Sequence, residues 1–288
     1  MVSIVIINYK QKNYTVDCIK SIYETIRSVP FEIIVVNNSP EDDFSPLENH
    51  FDNLTVIKNQ NKGYSQANNL GAKNSKFEHL LFLNADTLFV TDPFADLFRL
   101  MEKRNYGAVG LKLFNKDNTF QLSFGVHNDF QGKSENKARE NYFRNKNFEK
   151  TLEIENKYSE ISPVDWVTGA AMFIRKKTFN EVNGFDERFF LYYEDVEICK
   201  RLEDKGYQNY FYPFSKIIHF KGENVNNNFN ETTYFYSKQS QILFYKLHNS
   251  FLNNFMLRIY LFVKFFFLSV FTFKKVNWKI LKLSITGS

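Results

Sequence analysis

The apolar run 80–83 ends in Asn84-Ala85-Asp86. Alternate residues of an extended chain point the same way, so Asn84 and Asp86 share a side. A carboxylate in that position can hold Mg2+ or Mn2+, and such a cation neutralises a diphosphate. Taken alone, the triplet reads more readily as a solvated turn. An acidic pair, Glu194-Asp195, stands at the start of a helical pattern over 195–205 that Gly206 stops. Asp195 is a good N-cap for that helix. A cap position also fixes a carboxylate on a rigid element, so a structural and a chemical role are compatible.

The surrounding pattern says what must position these groups. Residues 2–7 and 31–36 are continuous apolar runs and predict buried strands, with further strands at 54–57 and 80–83. Helical spacing covers 14–27, and 64–73 reads as a helix behind Gly63. Strands alternating with helices predict βαβ units and a parallel sheet. Ligands of such sheets bind beyond the carboxyl ends of the strands. Asn8, Asn37 and Asn84 to Asp86 all fall at those ends, so three polar clusters point to one site. Residues 93–104 predict a helix with Asp92 as cap and Pro93 in its first turn. Residues 127–159 are polar and aperiodic and predict a mobile insertion over the site. A strand pattern resumes at 164–175, short strands follow at 207–212 and 217–220, and 232–248 reads as a helix.

Composition bounds the class. A hydrophobic share of 43% over 288 residues supports a sizeable core. The two cysteines, Cys18 and Cys199, have no CxxC spacing, which argues against a disulfide scaffold or zinc knuckle and for a reducing cytosol. The N-terminus lacks the basic region of a signal peptide. Of the 37 basic residues, six lie in 251–288, which has no acidic residue; the rest of the chain sets 31 basic against 32 acidic. A body with that balance is not expected to bind nucleic acid, whereas the tail suits anionic lipid. Its segment 259–273 is apolar except for Lys264, and 15 residues at ~1.5 Å each reach about 22 Å, short of a ~30 Å bilayer core. Together with the Lys-rich 274–283 it predicts helices lying in the membrane interface; the competing expectation is a packing helix in a homodimer. The closing Thr286-Gly287-Ser288 is compatible with a longer natural tail.

Further strings set these clusters in context: Asn61-Lys62-Gly63-Tyr64-Ser65-Gln66-Ala67-Asn68, Gly169-Ala170-Ala171-Met172, Gly184-Phe185-Asp186-Glu187-Arg188-Phe189, Tyr193-Glu194-Asp195-Val196-Glu197 and Ile218-His219-Phe220-Lys221-Gly222. In order and spacing, over about 2–225, the chain resembles the family 2 glycosyltransferases, in particular their rhamnosyltransferase-like branch. The resemblance implies a GT-A fold: an α/β, Rossmann-like, mostly parallel sheet flanked by helices. It also implies an inverting transfer from a nucleotide-diphospho-sugar. By that likeness Asn8, Tyr9 and Asn37 hold base and ribose, with Asn37 standing where the family usually has Asp. Asn61 and Gly63 lie along the nucleotide, and Gly63 lets backbone approach the ligand; Asn68 fixes the local fold or joins them. Asn84 and Asp86 match the metal motif with its first Asp replaced, so Asp86 is the main ligand of Mg2+ or Mn2+. His219 matches a late histidine near metal or diphosphate, or is simply a structural histidine. Glu194-Asp195 matches the catalytic acidic pair. Inversion needs one displacement, with a carboxylate taking the acceptor hydroxyl's proton; Asp195 is the expected base and Glu194 its understudy. Trp166, Asp165 and Phe190 are acceptor-site candidates, although aromatics so placed are more often core residues.

The resulting expectation is a catalytic domain over 1–248, with a nucleotide-sugar half (1–110) and an acceptor half (111–248), and a basic apolar helical tail over 249–288. The enzyme is expected at the cytoplasmic face of the cell membrane, moving rhamnose from dTDP, or a hexose or N-acetylhexosamine from UDP, to a glycan or lipid-linked acceptor. The rivals are a non-catalytic nucleotide- or glycan-binding subunit, a scaffold of a polysaccharide complex, and an oxidoreductase; no GxGxxG follows the first strand, which speaks against the last.

Overall fold

The computed structural model describes residues 1–102, 104–127, 130–220 and 230–287. The donor-side half alternates as expected: β1 (Val2–Asn8), α1 (Lys12–Thr25), β2 (Phe31–Asn37), α2 (Ser45–Glu48), β3 (Leu54–Lys58), α3 (Tyr64–Asn74) and β4 (His79–Asn84). These strands are apolar on both faces because helices cover both. The order β3-β2-β1-β4 is parallel throughout, and the register Asn8↔Asn37 and Ile7↔Asn84 brings the three polar strand ends together. α3 lies close on β1: a Cβ on Gly71 would meet Val5 Cγ1 at 2.3 Å, so only glycine lets the helix approach.

The chain then crosses to the other side of β4. It runs through β5 (Thr87–Phe89), α4 (Phe94–Met101), β6 (Tyr106–Phe114), β7 (Phe120–Gln121), β8 (Phe124–Gly125), α5 (Phe130–Arg144), α6 (Phe148–Lys157), β9 (Ser162–Pro163), β10 (Trp166–Val167), β11 (Ala171–Arg175), α7 (Lys176–Glu181), α8 (Glu194–Asp204) and β12 (Gln208–His219). The sheet continues β4-β11-β6-β12-β5, with β11 antiparallel to both neighbours and β5 antiparallel to β12. This is the mixed, mostly parallel sheet that the sequence implies. The expected division at residue 110 falls inside β6, so the two halves share one sheet.

Three local expectations are corrected. Residues 127–159 are not an irregular insertion: α5 and α6 occupy most of them. Their periodicity is hidden because few positions are apolar. They are fastened instead by polar groups, with Asn136 bonding both the N–H and C=O of Val126 (3.0 and 2.8 Å) and Lys112 Nζ bonding Glu155 (2.7 Å). The expected strands 207–212 and 217–220 are one strand, β12, irregular between Tyr212 and Ile217. Pro213 sits there and cannot donate to a ladder. The strand expected over 164–175 is two, β10 and β11.

The C-terminal part is helical: α9 (Glu231–His248), α10 (Phe251–Thr272) and α11 (Lys275–Thr286). α10 is longer than the sequence pattern suggested. Its 22 residues reach about 33 Å, long and apolar enough to cross a membrane by length and composition alone. Leu257, Leu261, Phe265 and Ser269 form its buried stripe, and they join a core with Tyr245 of α9 and Ile280 of α11. The opposite side, including Phe251, Phe255, Phe262, Phe266, Phe267 and Phe271, is exposed.

Candidate active site

β4 delivers Asn84 and, after the turn, Asp86. β12 delivers His219, because β5 and β12 pair with His219 opposite Thr87 and Phe220 N–H donates to the Asp86 carbonyl at 2.9 Å. His219 Nε2 lies 3.3 Å from Asp86 Oδ1 and 3.3 Å from Asn84 Nδ2. Its Nδ1 lies 2.7 Å from Gln121 Oε1, an acceptor, so Nδ1 carries the proton there. In the neutral ring Nε2 is then an unprotonated lone pair, facing a carboxylate oxygen. Two acceptors that close, each at most 10% exposed, suit a cation between them. Among the described residues no cluster of three or more His, Cys, Asp or Glu forms a metal-type site. Asp86 and His219 are the residues that would hold a divalent ion, whose other oxygen ligands would have to come from outside the protein.

The acidic pair is presented by a strained turn. Tyr192 and Tyr193 both have left-handed backbones (φ 68° and 67°), and α8 begins directly after them. Such conformations cost about 1–3 kcal/mol each at non-glycine residues and cluster at functional sites. Asp195 is therefore not the N-cap that the sequence suggested; that position is Tyr193. Asp195 Oδ2 accepts from Gly169 N–H at 3.1 Å, and Oδ1 from Val196 N–H at 2.8 Å. Burial raises the pKa of Asp195, while those hydrogen bonds oppose the rise. Glu194, 6% exposed, is pushed well above the usual carboxylate range by burial and then by Asp195. Its Oε2 is buried without a hydrogen-bond partner. A buried carboxylate oxygen left unsatisfied is costly and marks a place for a proton or a ligand.

Tyr64 joins the two groups. Its hydroxyl donates to Gly169 O (2.9 Å) and Asn84 Oδ1 (3.2 Å). It is half-buried, and its pKa is pushed up by desolvation, Glu194, Asp195 and Asp86 in that order. Gly169 also donates its N–H to Asp195, and Asn84 meets His219 Nε2, so one phenol links the acidic pair to the metal-type pair. Sequence reading quoted Tyr64 without giving it a role; its position at the start of α3, right after Gly63, was the available signal.

Several expected contacts have other duties. Asn8 and Asn37 are 0% and 1% exposed. Asn8 Nδ2 donates to Asn37 Oδ1 and to Asp42 Oδ2 (both 2.8 Å), while its Oδ1 accepts from Thr15 at 3.0 Å. These side chains knit the floor of the site rather than reach into it, and Asp42, which sequence reading missed, brings a carboxylate beside them. Tyr9 is half-exposed at the rim. Asn61 Oδ1 accepts from Gly63 N–H at 3.2 Å, holding the turn. Gly63 admits protein backbone, not ligand: at φ 109° a Cβ would lie 2.7 Å from Phe190 O. Tyr64 N–H donates to that same oxygen at 2.8 Å, docking the 185–193 segment on α3. Asn68 Nδ2 donates to Tyr64 O at 3.1 Å, within α3.

Of the acceptor candidates, Trp166 lines a cavity of about 390 Å3 with Gln121, Phe124, Asn136 and Glu140, and its Nε1 donates to Val126 O at 2.8 Å. Phe190 stacks on Tyr236 of α9, centroids 4.4 Å apart. Asp165 Oδ2 accepts from His127 N–H at 2.7 Å, which holds the β8 loop.

A sheet of this order, with a cation-type pair and a carboxylate pair meeting at one tyrosine, is the GT-A architecture of glycosyltransferases. The chain belongs to glycosyl transferase family 2, whose model matches residues 3–176. A second model, the N-terminal domain of galactosyltransferase, matches 150–223. A low-salt glycan biosynthesis hexosyltransferase of Haloferax volcanii is 27% identical over 214 residues, which are 69% of this chain but only 60% of the relative. Rhamnosyltransferase WbbL of Escherichia coli K12 is 27% identical over 238 residues, 76% of this chain and 83% of the relative. Among solved structures, GalNAc-T7 with UDP, GalNAc and Mn2+ superposes with a TM-score of 0.61 at 15% identity, over 85% of this chain and 47% of that one. A mannosyltransferase of Pyrobaculum calidifontis with GDP-Man and Mn2+ gives 0.56 at 15% identity, over 90% and 64%. At those identities the likeness concerns the fold.

Proposed function

We propose that the chain moves one sugar, with inversion, from a nucleotide-diphospho-sugar to a lipid-linked glycan acceptor in cell-surface polysaccharide synthesis. The observation that carries this is the bridge made by Tyr64: its hydroxyl meets Gly169, whose N–H holds Asp195, and Asn84, whose amide meets His219 beside Asp86. Asp86 and His219 hold Mg2+ or Mn2+, which when bound stabilises charge on the departing nucleotide diphosphate. Asp195, held by Gly169 N–H and the first turn of α8, takes the acceptor hydroxyl's proton. Tyr64 fixes the spacing between the two sides. Tyr9 and the Asp42 carboxylate face the nucleotide. The rhamnosyltransferase among the relatives favours dTDP-rhamnose as donor, with UDP-hexose and UDP-N-acetylhexosamine as the alternatives.

The test is a screen of nucleotide sugars with the purified chain, scored by released nucleotide diphosphate. Turnover is expected with one donor class, abolished by a chelator and restored by Mg2+ or Mn2+. Asp86→Asn should cut it about 100-fold or more, the scale of losing a charge-stabilising group, and weaken metal-dependent nucleotide binding in parallel. Metal-independent turnover, or an Asp86→Asn chain with wild-type affinity, sinks the reading.

The tail supports a position at the membrane surface. Lys274, Lys275, Lys279 and Lys282 of α11 and its approach flank the exposed aromatic face of α10. With one stripe of α10 packed on α9 and α11, the hairpin lies in the interface of an anionic leaflet, at the cytoplasmic face of the cell membrane. The full chain should float with phosphatidylglycerol vesicles and much less with phosphatidylcholine, and salt should weaken the binding. A chain that ignores both vesicles and elutes as a dimer would assign the face to a second copy instead.

A further inference from the structure

Where α9 meets α10, two lysines converge on one aromatic seam. Lys238 Nζ lies 5.3 Å from the centroid of Tyr234 and 3.4 Å from Gln241 Oε1. Tyr234 packs on Phe265 of α10 (6.1 Å), and Lys264 Nζ lies 5.6 Å from that same Phe265 ring and 5.9 Å from Tyr260. Neither ammonium has an ion pair among the described residues. The one carboxylate that acts on Lys238 is Glu140 of α5, and Lys137 on the same helix opposes it. Burial, then the charge of Lys264, brings Lys238 down to about 8. Lys238 is half-buried and Lys264 exposed, and an anion between them would relieve the repulsion of two like charges.

The position gives that anion a purpose. Gln241, which Lys238 reaches, also bonds the side chain of Tyr193, the residue before Glu194. Ser240 Oγ donates to Leu191 O at 2.9 Å, and Tyr236 stacks on Phe190, so this stretch of α9 backs the turn that carries the acidic pair. Two side chains, Gln241 and Tyr193, separate Lys238 from Glu194. On the far side the seam opens onto the exposed apolar residues of α10, Ile259, Tyr260 and Val263 among them. An anionic head bound at the lysines would have an apolar surface for its tail on one side and the acidic pair on the other.

We propose that Lys238 and Lys264 bind the phosphate or diphosphate of an isoprenoid-type acceptor lipid, a second phosphate site separate from the one that serves the donor. The proposal rests on the transferase reading above and supplies its acceptor class. The same phosphate chemistry exists in phospholipid headgroups; the geometry favours the acceptor because the lysines connect inward to Tyr193.

The test uses the full chain in neutral detergent, with a nucleotide diphosphate and Mg2+ saturating the donor site. Binding of labelled farnesyl diphosphate is measured at equilibrium. Wild type should bind it, and Lys238→Met with Lys264→Met should bind it about 10- to 100-fold more weakly, as expected for losing charge-assisted hydrogen bonds. The Lys238→Arg, Lys264→Arg pair should restore most of the affinity. Unchanged nucleotide binding in the Met variant shows that the fold is intact. The proposal is overturned if the Met variant binds as wild type does, if farnesol competes as well as farnesyl diphosphate, or if excess nucleotide diphosphate displaces the probe. Short-chain phosphatidylglycerol displacing the probe at equal concentration would reassign the site to headgroups and overturn it too. None of these readouts needs turnover, so failure of the transferase reading would appear separately, as absent metal-dependent nucleotide binding.

Discussion

Asp195→Asn should lower kcat by about 10^3-fold, within the range for removing a general base, while metal-dependent nucleotide binding stays near wild type. That is about 4 kcal/mol of transition-state stabilisation. The amide keeps the shape of the side chain, and its Oδ1 can still accept from Val196 or Gly169 N–H. What it loses is the proton acceptor, so the effect belongs in kcat. The pair titrates as a unit, and burial is the first cause of both raised pKa values. Activity should therefore rise with pH along a limb displaced above the ordinary carboxylate range of about 4. Stability should follow the opposite course. A carboxyl whose folded pKa is raised adds stability that is fully present below the unfolded value and is lost as pH rises through the folded one. Glu194→Gln removes the cost of ionising a buried group, so its melting temperature should gain on wild type as pH rises above the ordinary carboxylate range. An Asp195→Asn enzyme with wild-type kcat would end the assignment; a Glu194→Gln difference that shrinks with pH would contradict the burial argument.

The half of the fold that sequence conveyed well is the half made of local signals. The runs at β1, β2 and β4 are apolar because both faces are covered, and each ends where hydrogen-bonding side chains begin. That juncture pointed to Asn8, Asn37 and Asn84 to Asp86 together, and the register sets Asn8 against Asn37 and Ile7 against Asn84. What stayed hidden depends on partners far along the chain. Gln121 orients His219 across 98 residues. Gly63 is explained only by Phe190, and Asp42 only by Asn8. The left-handed pair Tyr192 and Tyr193 leaves no compositional trace, since neither is glycine or asparagine; the strain is visible only in the backbone. α5 and α6 escaped because polar helices held by side-chain hydrogen bonds lack the apolar period that periodicity arguments need. The length of α10 was underestimated because Asn253, Asn254 and Arg258 interrupt the apolar run without interrupting the helix.

One of these distant partnerships carries the largest expected stability effect. Glu197, 1% exposed, lies one turn after the acidic pair on α8. Arg201 grips it with two hydrogen bonds, Nε to Oε1 at 2.7 Å and Nη2 to Oε2 at 2.6 Å. The same guanidinium donates to the carbonyls of Val182 and Gly184, and His248 at the end of α9 closes on Glu197 Oε1 at 3.2 Å. α8, the loop before the Tyr192–Tyr193 turn and the helix leading to the α10–α11 hairpin thus meet on one carboxylate. Arg201→Leu keeps the volume but strands Glu197 as a buried charge and leaves two carbonyls without their donor. Breaking a buried pair from one side costs about 3–5 kcal/mol, and denaturant unfolding should show a loss of that size. Because Arg201 also ties down the segment that Gly63 and Tyr64 dock, kcat should fall with stability even at temperatures where the variant stays folded. Arg201→Leu combined with Glu197→Leu should recover a large part of the stability, since no charge is then left unpaired, yet little of the activity, since the loop carbonyls remain loose. Stability and activity recovering together would mean the network serves only the core; neither changing on Arg201→Leu would mean that α8 is positioned by packing alone.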